Sequence, residues 1–107
     1  MKFENANVLI TGGASGIGKI MGRMALERGA KRFIIWDINI AGIEQTRKEV
    51  SSYGKVKGYV VNVADNDIVT AAYRKTVEDC GPIDILINCA GIVTSNKTFD
   101  QQTPEEI

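Results

Sequence analysis

Histidine is absent from this chain of 107 residues. No imidazole can therefore serve as a base, a nucleophile's partner or a metal ligand. The only cysteines, Cys80 and Cys89, lie nine residues apart, so none of the usual zinc spacings can be assembled. Excess charge is missing too. The 13 basic residues are balanced by 13 acidic ones with no run of either sign, which leaves no nucleic-acid footprint and no basic helix for a membrane surface. Long apolar runs are also lacking, so no segment spans a bilayer. Glu4 and Asn5 interrupt the start, and the short apolar run after them leads into glycines rather than a cleavage site. The cysteines then read as free thiols of a reducing compartment. The expectation is a cytosolic single domain that buries about two-thirds of its unfolded surface.

What the chain does have is a repeated switch of periodicity. A short apolar strand over 8–11 is followed by helical spacing at Ile17, Ile20, Met21, Met24 and Ala25, which Gly29 is placed to end. Residues 32–37 form a continuous apolar strand closing on Asp37. Helical spacing returns from 40 to about 52 at Ile43, Thr46, Arg47 and Val50, and a third strand is expected over 57–63. Asp65 reads as the cap of a helix to about 79, with Ile68, Val69, Ala72, Tyr73 and Val77 inward. A fourth strand covers 84–88, and Thr103-Pro104 looks like the start of another helix. This alternation implies βαβ crossovers and a doubly wound parallel α/β sheet of Rossmann type, with strand order 3-2-1-4. Ligands of such sheets bind at the carboxyl ends of the strands, where the polar and glycine-rich segments here all fall.

The first of those segments, Thr11-Gly12-Gly13-Ala14-Ser15-Gly16-Ile17-Gly18, turns a strand into a helix start. Glycines there admit close approach of a ligand, and the helix offers unbonded N–H groups and a positive dipole end to a phosphate. Asp37 lies 19 residues beyond Gly18 at the end of the second strand, placed to accept from a ribose diol and to repel a 2′-phosphate. With Ile38 and Asn39 rather than a basic residue after it, NAD(H) is favoured over NADP(H). The same residues also imitate a P-loop, Gly13-x-x-x-x-Gly18-Lys19, but Ile20 stands where the Mg²⁺-binding hydroxyl should be. Tyr53 and Lys57 have the spacing of a phenol and its activating cation, yet Gly54 between them and their place on the opposite rim argue against catalysis. Asp65 and Asp67 read as helix-start acids rather than metal ligands.

Together, Thr11-Gly12-x-x-x-Gly16-x-Gly18, Asp37, Asn62-Val63-x-Asp65 and Asn88-x-Ala90-Gly91 resemble the classical short-chain dehydrogenase/reductase family in its NAD form, over residues 3–107. The resemblance implies that Gly12, Ser15, Gly16, Ile17 and Gly18 hold the diphosphate and that Asp37 holds the adenosine ribose. It also implies that Asn62 and Val63 line the adenine pocket, and that Asn88, Ala90 and Gly91 steady the sheet beside the cofactor. Asn62 departs from the family's usual Asp. Its amide oxygen can still accept from the adenine amino group, so recognition should weaken rather than vanish. Cys89 replaces a second Asn with a compact apolar side chain, which keeps the packing but not the polar partner.

The implied activity is hydride transfer between nicotinamide and a small alcohol or carbonyl substrate, in an enzyme that is usually a homo-oligomer and needs neither nucleic acid nor membrane. The family's Tyr, Lys, Ser and Asn all fall beyond the helix that starts at Thr103, so no catalytic residue is assigned here. Residues 1–107 are expected to be an incomplete NAD-binding half-domain, truncated after the fourth strand. The alternatives are a non-catalytic dinucleotide-binding fragment and, further off, a P-loop protein. Because Ile85, Leu86 and Ile87 are apolar on both faces, their strand should sit mid-sheet. Its uncovered edge should leave the species marginally stable or self-associating, or mark it as a piece of a longer enzyme.

Overall fold

The structure, a computed structural model, describes residues 2–90; Gly91 and the expected helix start at Thr103 lie outside the described residues. Four strands, β1 (Asn7–Thr11), β2 (Arg32–Asp37), β3 (Lys55–Val60) and β4 (Ile85–Asn88), alternate with three helices, α1 (Gly16–Glu27), α2 (Ile40–Val50) and α3 (Asn66–Cys80). A short 3-10 turn over Ser51–Tyr53 follows α2. Every pairing is parallel and the order is β3-β2-β1-β4, as the alternation predicts.

Alternate side chains of the central strands feed two cores. Val8, Ile10, Phe33 and Ile35 pack with Ala25, Leu26, Ile43 and Val50 on the face that carries α1 and α2. Leu9, Ile34 and Trp36 pack with Val61 and Cys80 on the face of α3. All five residues of β1 are buried, as are the inner four of β2. Burial on both faces is why these strands carry continuous rather than alternating apolar runs.

Five local expectations need correction. On α1 the buried residues are Gly18, Gly22, Ala25 and Leu26, whereas Ile17, Ile20 and Met24 are exposed. The helix lies so close to the sheet that a Cβ on Gly22 would sit inside the Phe33 ring. Small residues therefore take the inner face, and the large ones are displaced outward. On α2 the expected Ile43, Thr46 and Val50 are buried, but Arg47 is exposed and paired with Glu44.

On α3 the inner face is Val69, Ala72, Thr76 and Cys80, with Ile68 and Tyr73 exposed. A buried hydrogen bond from Trp36 Nε1 to Thr76 Oγ1, 3.1 Å, fixes that rotation. β3 runs over Lys55–Val60, earlier than the expected 57–63, because its pairing ends where β2 ends, at Asp37 opposite Val60. β4 borders only β1 among the described residues, and Leu86 is exposed rather than central.

Candidate functional site

A cavity of about 520 Å³ opens over the carboxyl ends of β1, β2 and β3 and the start of α1. Gly12, Ser15, Gly16, Ile17 and Gly18 form one wall, Asp37 and Ile38 a second, and Asn62, Val63 and Ala64 a third. Cys89 and Ala90 lie at its base. Of the expected site residues, ten fall in the described region and nine line this cavity; Gly91 lies outside the described residues. Asn88 is the one that does not line it. Its Oδ1 accepts from Thr11 Oγ1 at 2.6 Å, and the same hydroxyl accepts from Cys89 N at 3.1 Å and Ala90 N at 3.3 Å. Asn88 thus fixes the turn that carries Cys89 and Ala90 beneath the loop.

The glycine loop is held on three sides. Gly12 N donates to Trp36 O at 2.7 Å, Ala14 N to Asp37 Oδ2 at 3.1 Å, and Thr46 Oγ1 to Ala14 O at 2.9 Å. Gly12 has φ +72, and a Cβ there would stand 3.1 Å from the Ala90 backbone. At Gly18 a Cβ would collide with the Gly12 carbonyl. These two close approaches are why the turn closes tightly enough to bring α1 over the cavity.

Helix α1 begins without a side-chain cap. Asn39 caps α2 by accepting from Gly42 N at 2.9 Å, and Asp65 caps α3 by accepting from Asp67 N and Ile68 N. Ser15 makes no such bond, and the first turn of α1 carries no acid. Its leading N–H groups face the cavity unneutralised, which suits an anion. On the same cavity, the Asp37 carboxylate is oriented by Ala14 N and by Asn39 N, 3.1 Å from Oδ1. Each oxygen keeps acceptor capacity for hydroxyls.

An uncapped helix start, a glycine cradle and a fixed acceptor on one cavity together fit a dinucleotide. Lys19 does not belong to this set. Its ammonium pairs with Glu49 on α2, so the P-loop alternative loses the cation it needs.

Tyr53 and Lys57 are not brought together either. Tyr53 lies under the Arg23 guanidinium, 4.9 Å from the ring centre, and Lys57 lies over Tyr59. Among the described residues no group of three or more Cys, Asp or Glu could hold a metal ion. Burial raises the Cys89 thiol above its ordinary range, and its sulfur packs 3.9 Å from that of Met21. Sequence reasoning missed Trp36, Ile38, Val61, Ala64 and Cys89 as cavity residues.

The family model described as short chain dehydrogenase matches residues 6–107. The chain belongs to the short-chain dehydrogenase family. Similar members include estradiol 17-beta-dehydrogenase 11 of Rattus norvegicus, 35% identical over 92% of this chain and 33% of its own length. Another is the 3-oxoacyl-acyl-carrier-protein reductase FabG of Thermotoga maritima, 41% identical over 86% of this chain and 37% of that protein.

Solved short-chain dehydrogenases share the fold. One from Mycobacterium smegmatis superposes with TM-score 0.80 at 31% identity, covering 98% of this chain and 43% of that one. An NAD⁺-bound xylitol dehydrogenase superposes with TM-score 0.75 at 26% identity, covering 80% and 33%. The chain spans about a third of the length of the curated relatives it matches. As in other members of the family, the dinucleotide-binding fold is the context for the loop, and no helix among the described residues is long and apolar enough to cross a membrane.

Proposed function

We propose that residues 1–107 are the NAD(H)-binding part of an oxidoreductase that moves a hydride between nicotinamide and an alcohol or carbonyl carbon. The observation that carries this reading is Asp37, which lines the same cavity as the uncapped N-terminus of α1 and accepts from Ala14 N of the glycine loop. The leading N–H groups of α1, with Ser15, Gly16 and Ile17, hold the diphosphate. Gly12 and Gly18 admit it close to the backbone. Asp37 accepts from the ribose diol, and its charge opposes a 2′-phosphate. Asn62 and Val63 take the base, while Asn88, through Thr11, fixes Ala90 under the cofactor. When bound, the nicotinamide supplies or accepts the hydride; this chain binds and orients it. The NAD⁺-bound xylitol dehydrogenase of the same fold supports the cofactor class.

Titrating NAD(H) and NADP(H) against wild type, Asp37→Ala and Asp37→Asn tests the reading. Wild type should prefer NAD(H). Asp37→Asn, which keeps an acceptor for the Ala14 N–H, should lose that preference, and Asp37→Ala should bind NAD(H) about tenfold or more weakly. A wild type that prefers NADP(H), or an Asp37→Ala variant that binds NAD(H) unchanged, removes the ribose role.

A further inference from the structure

Asn62 presents to the base the opposite hydrogen-bonding sense from a carboxylate. Its Oδ1 accepts from Ala64 N at 3.0 Å, and its main-chain oxygen accepts from Asp65 N at 3.1 Å. Asp65 in turn accepts from Asp67 N and Ile68 N at 3.0 and 3.2 Å, so the turn is locked to the start of α3. A backbone N–H demands an acceptor. The amide oxygen is therefore committed to Ala64, and the NH₂ group is the end left to face other partners. No described residue accepts from that nitrogen. An aspartate on the same turn would give one oxygen to Ala64 and offer a second acceptor. Ile38 and Val63, exposed apolar side chains of the same cavity, supply faces for a flat ring.

We propose that Asn62 is a specificity-determining residue for the base, donating from Nδ2 so that a 6-oxopurine is accepted at least as well as a 6-aminopurine. A carbonyl at the six position matches this donor directly. Adenine can offer it only a ring nitrogen, its amino group being a second donor. The inference rests on the dinucleotide reading of the cavity.

Its test measures the affinities of NAD⁺ and of nicotinamide hypoxanthine dinucleotide calorimetrically, for wild type and for Asn62→Asp. That variant retains the acceptor for Ala64 N–H and so the turn. Wild type should bind the hypoxanthine form as tightly as NAD⁺ or more so, and Asn62→Asp should shift the ratio toward NAD⁺ by about tenfold, the scale of one charge-assisted hydrogen bond. A wild type that prefers NAD⁺ tenfold, or a ratio that Asn62→Asp leaves unchanged, overturns the inference while dinucleotide binding stands. If neither dinucleotide binds, both readings fail together.

Discussion

Thr46 shows how much a single hydroxyl contributes to this cavity. It is fully buried on α2, and its bond to Ala14 O fixes the loop from behind. Two glycines separate such placement from bare stability. Gly22→Ala puts a methyl into the buried Phe33 ring, neither residue lining the cavity, and should cost about 1–3 kcal/mol as overpacking. Gly12→Ala forces φ +72 on a side chain that meets the Ala90 backbone. Urea unfolding should therefore register the Gly22 variant with NAD⁺ affinity little changed, and calorimetry should show at least tenfold weaker binding for the Gly12 variant. The place of Asp37 and the loop glycines on one cavity was legible in the sequence because it follows from distance along the chain after a strand. Thr46 was not, since one hydroxyl on a helix face looks like any other until the loop carbonyl it meets is known. For Asn62 the residue type alone leaves its amide oxygen free to accept from a ligand; the Ala64 N–H claims that oxygen instead.

Helix starts differ in this fold, and the difference divides structure from binding. Asn39 and Asp65 seal α2 and α3, whereas α1 is left open where the cavity needs it. Ser15 already has the extended backbone of a cap residue, φ −161, so Ser15→Asp should close the helix with a carboxylate. The expected result is a chain up to about 1 kcal/mol more stable without ligand. The same change should weaken NAD⁺ binding by tenfold or more, because the carboxylate occupies the charge the diphosphate would use. Matched denaturation and binding curves check both halves; a variant that gains stability and keeps its affinity would place the diphosphate elsewhere. Among the described residues the order of strands and α-helices was readable from periodicity, but helix faces were less so. Periodicity weights bulk, so it points Ile17, Ile20 and Met24 inward on α1, where close approach to the sheet selects Gly18 and Gly22. On α3 it overlooks Thr76, whose polarity hides that its hydroxyl is the partner of a buried indole.

Across the whole molecule, the cavity and the seam between β3 and α3 do separate work. Near the carboxyl end of α3, Tyr59 donates to Asp79 Oδ2 at 2.7 Å, joining β3 to α3, and Lys75 pairs with the same carboxylate. Burial first, and then the bond to Asp79, raise the Tyr59 phenol well above its ordinary 10.0. The folded state thus favours the neutral phenol, and this stability is whole below pH 10 and is lost progressively above it. Asp79 is lowered from 3.8, chiefly by Tyr59 and then by Lys75, so its contribution holds above that value and disappears as acid protonates it. Stability followed by circular dichroism should fall above pH 10 in wild type, and Tyr59→Phe should flatten that fall while raising the pH of acid unfolding. A Tyr59→Phe profile parallel to wild type at both ends would deny the pair its role.

The Thr11 hydroxyl carries a consequence for the order in which these parts appear. It joins residues 77 positions apart, so the base of the cavity forms only once β4 has docked on β1. A growing chain that has made the loop, Asp37 and β3 still lacks the surface on which Gly12 rests. Long loops close late because their entropy must be overcome before any contact rewards it. A dinucleotide bound in this cavity would then meet its full site only after β4 has docked, able to hold that strand in place but unable to guide the earlier ones.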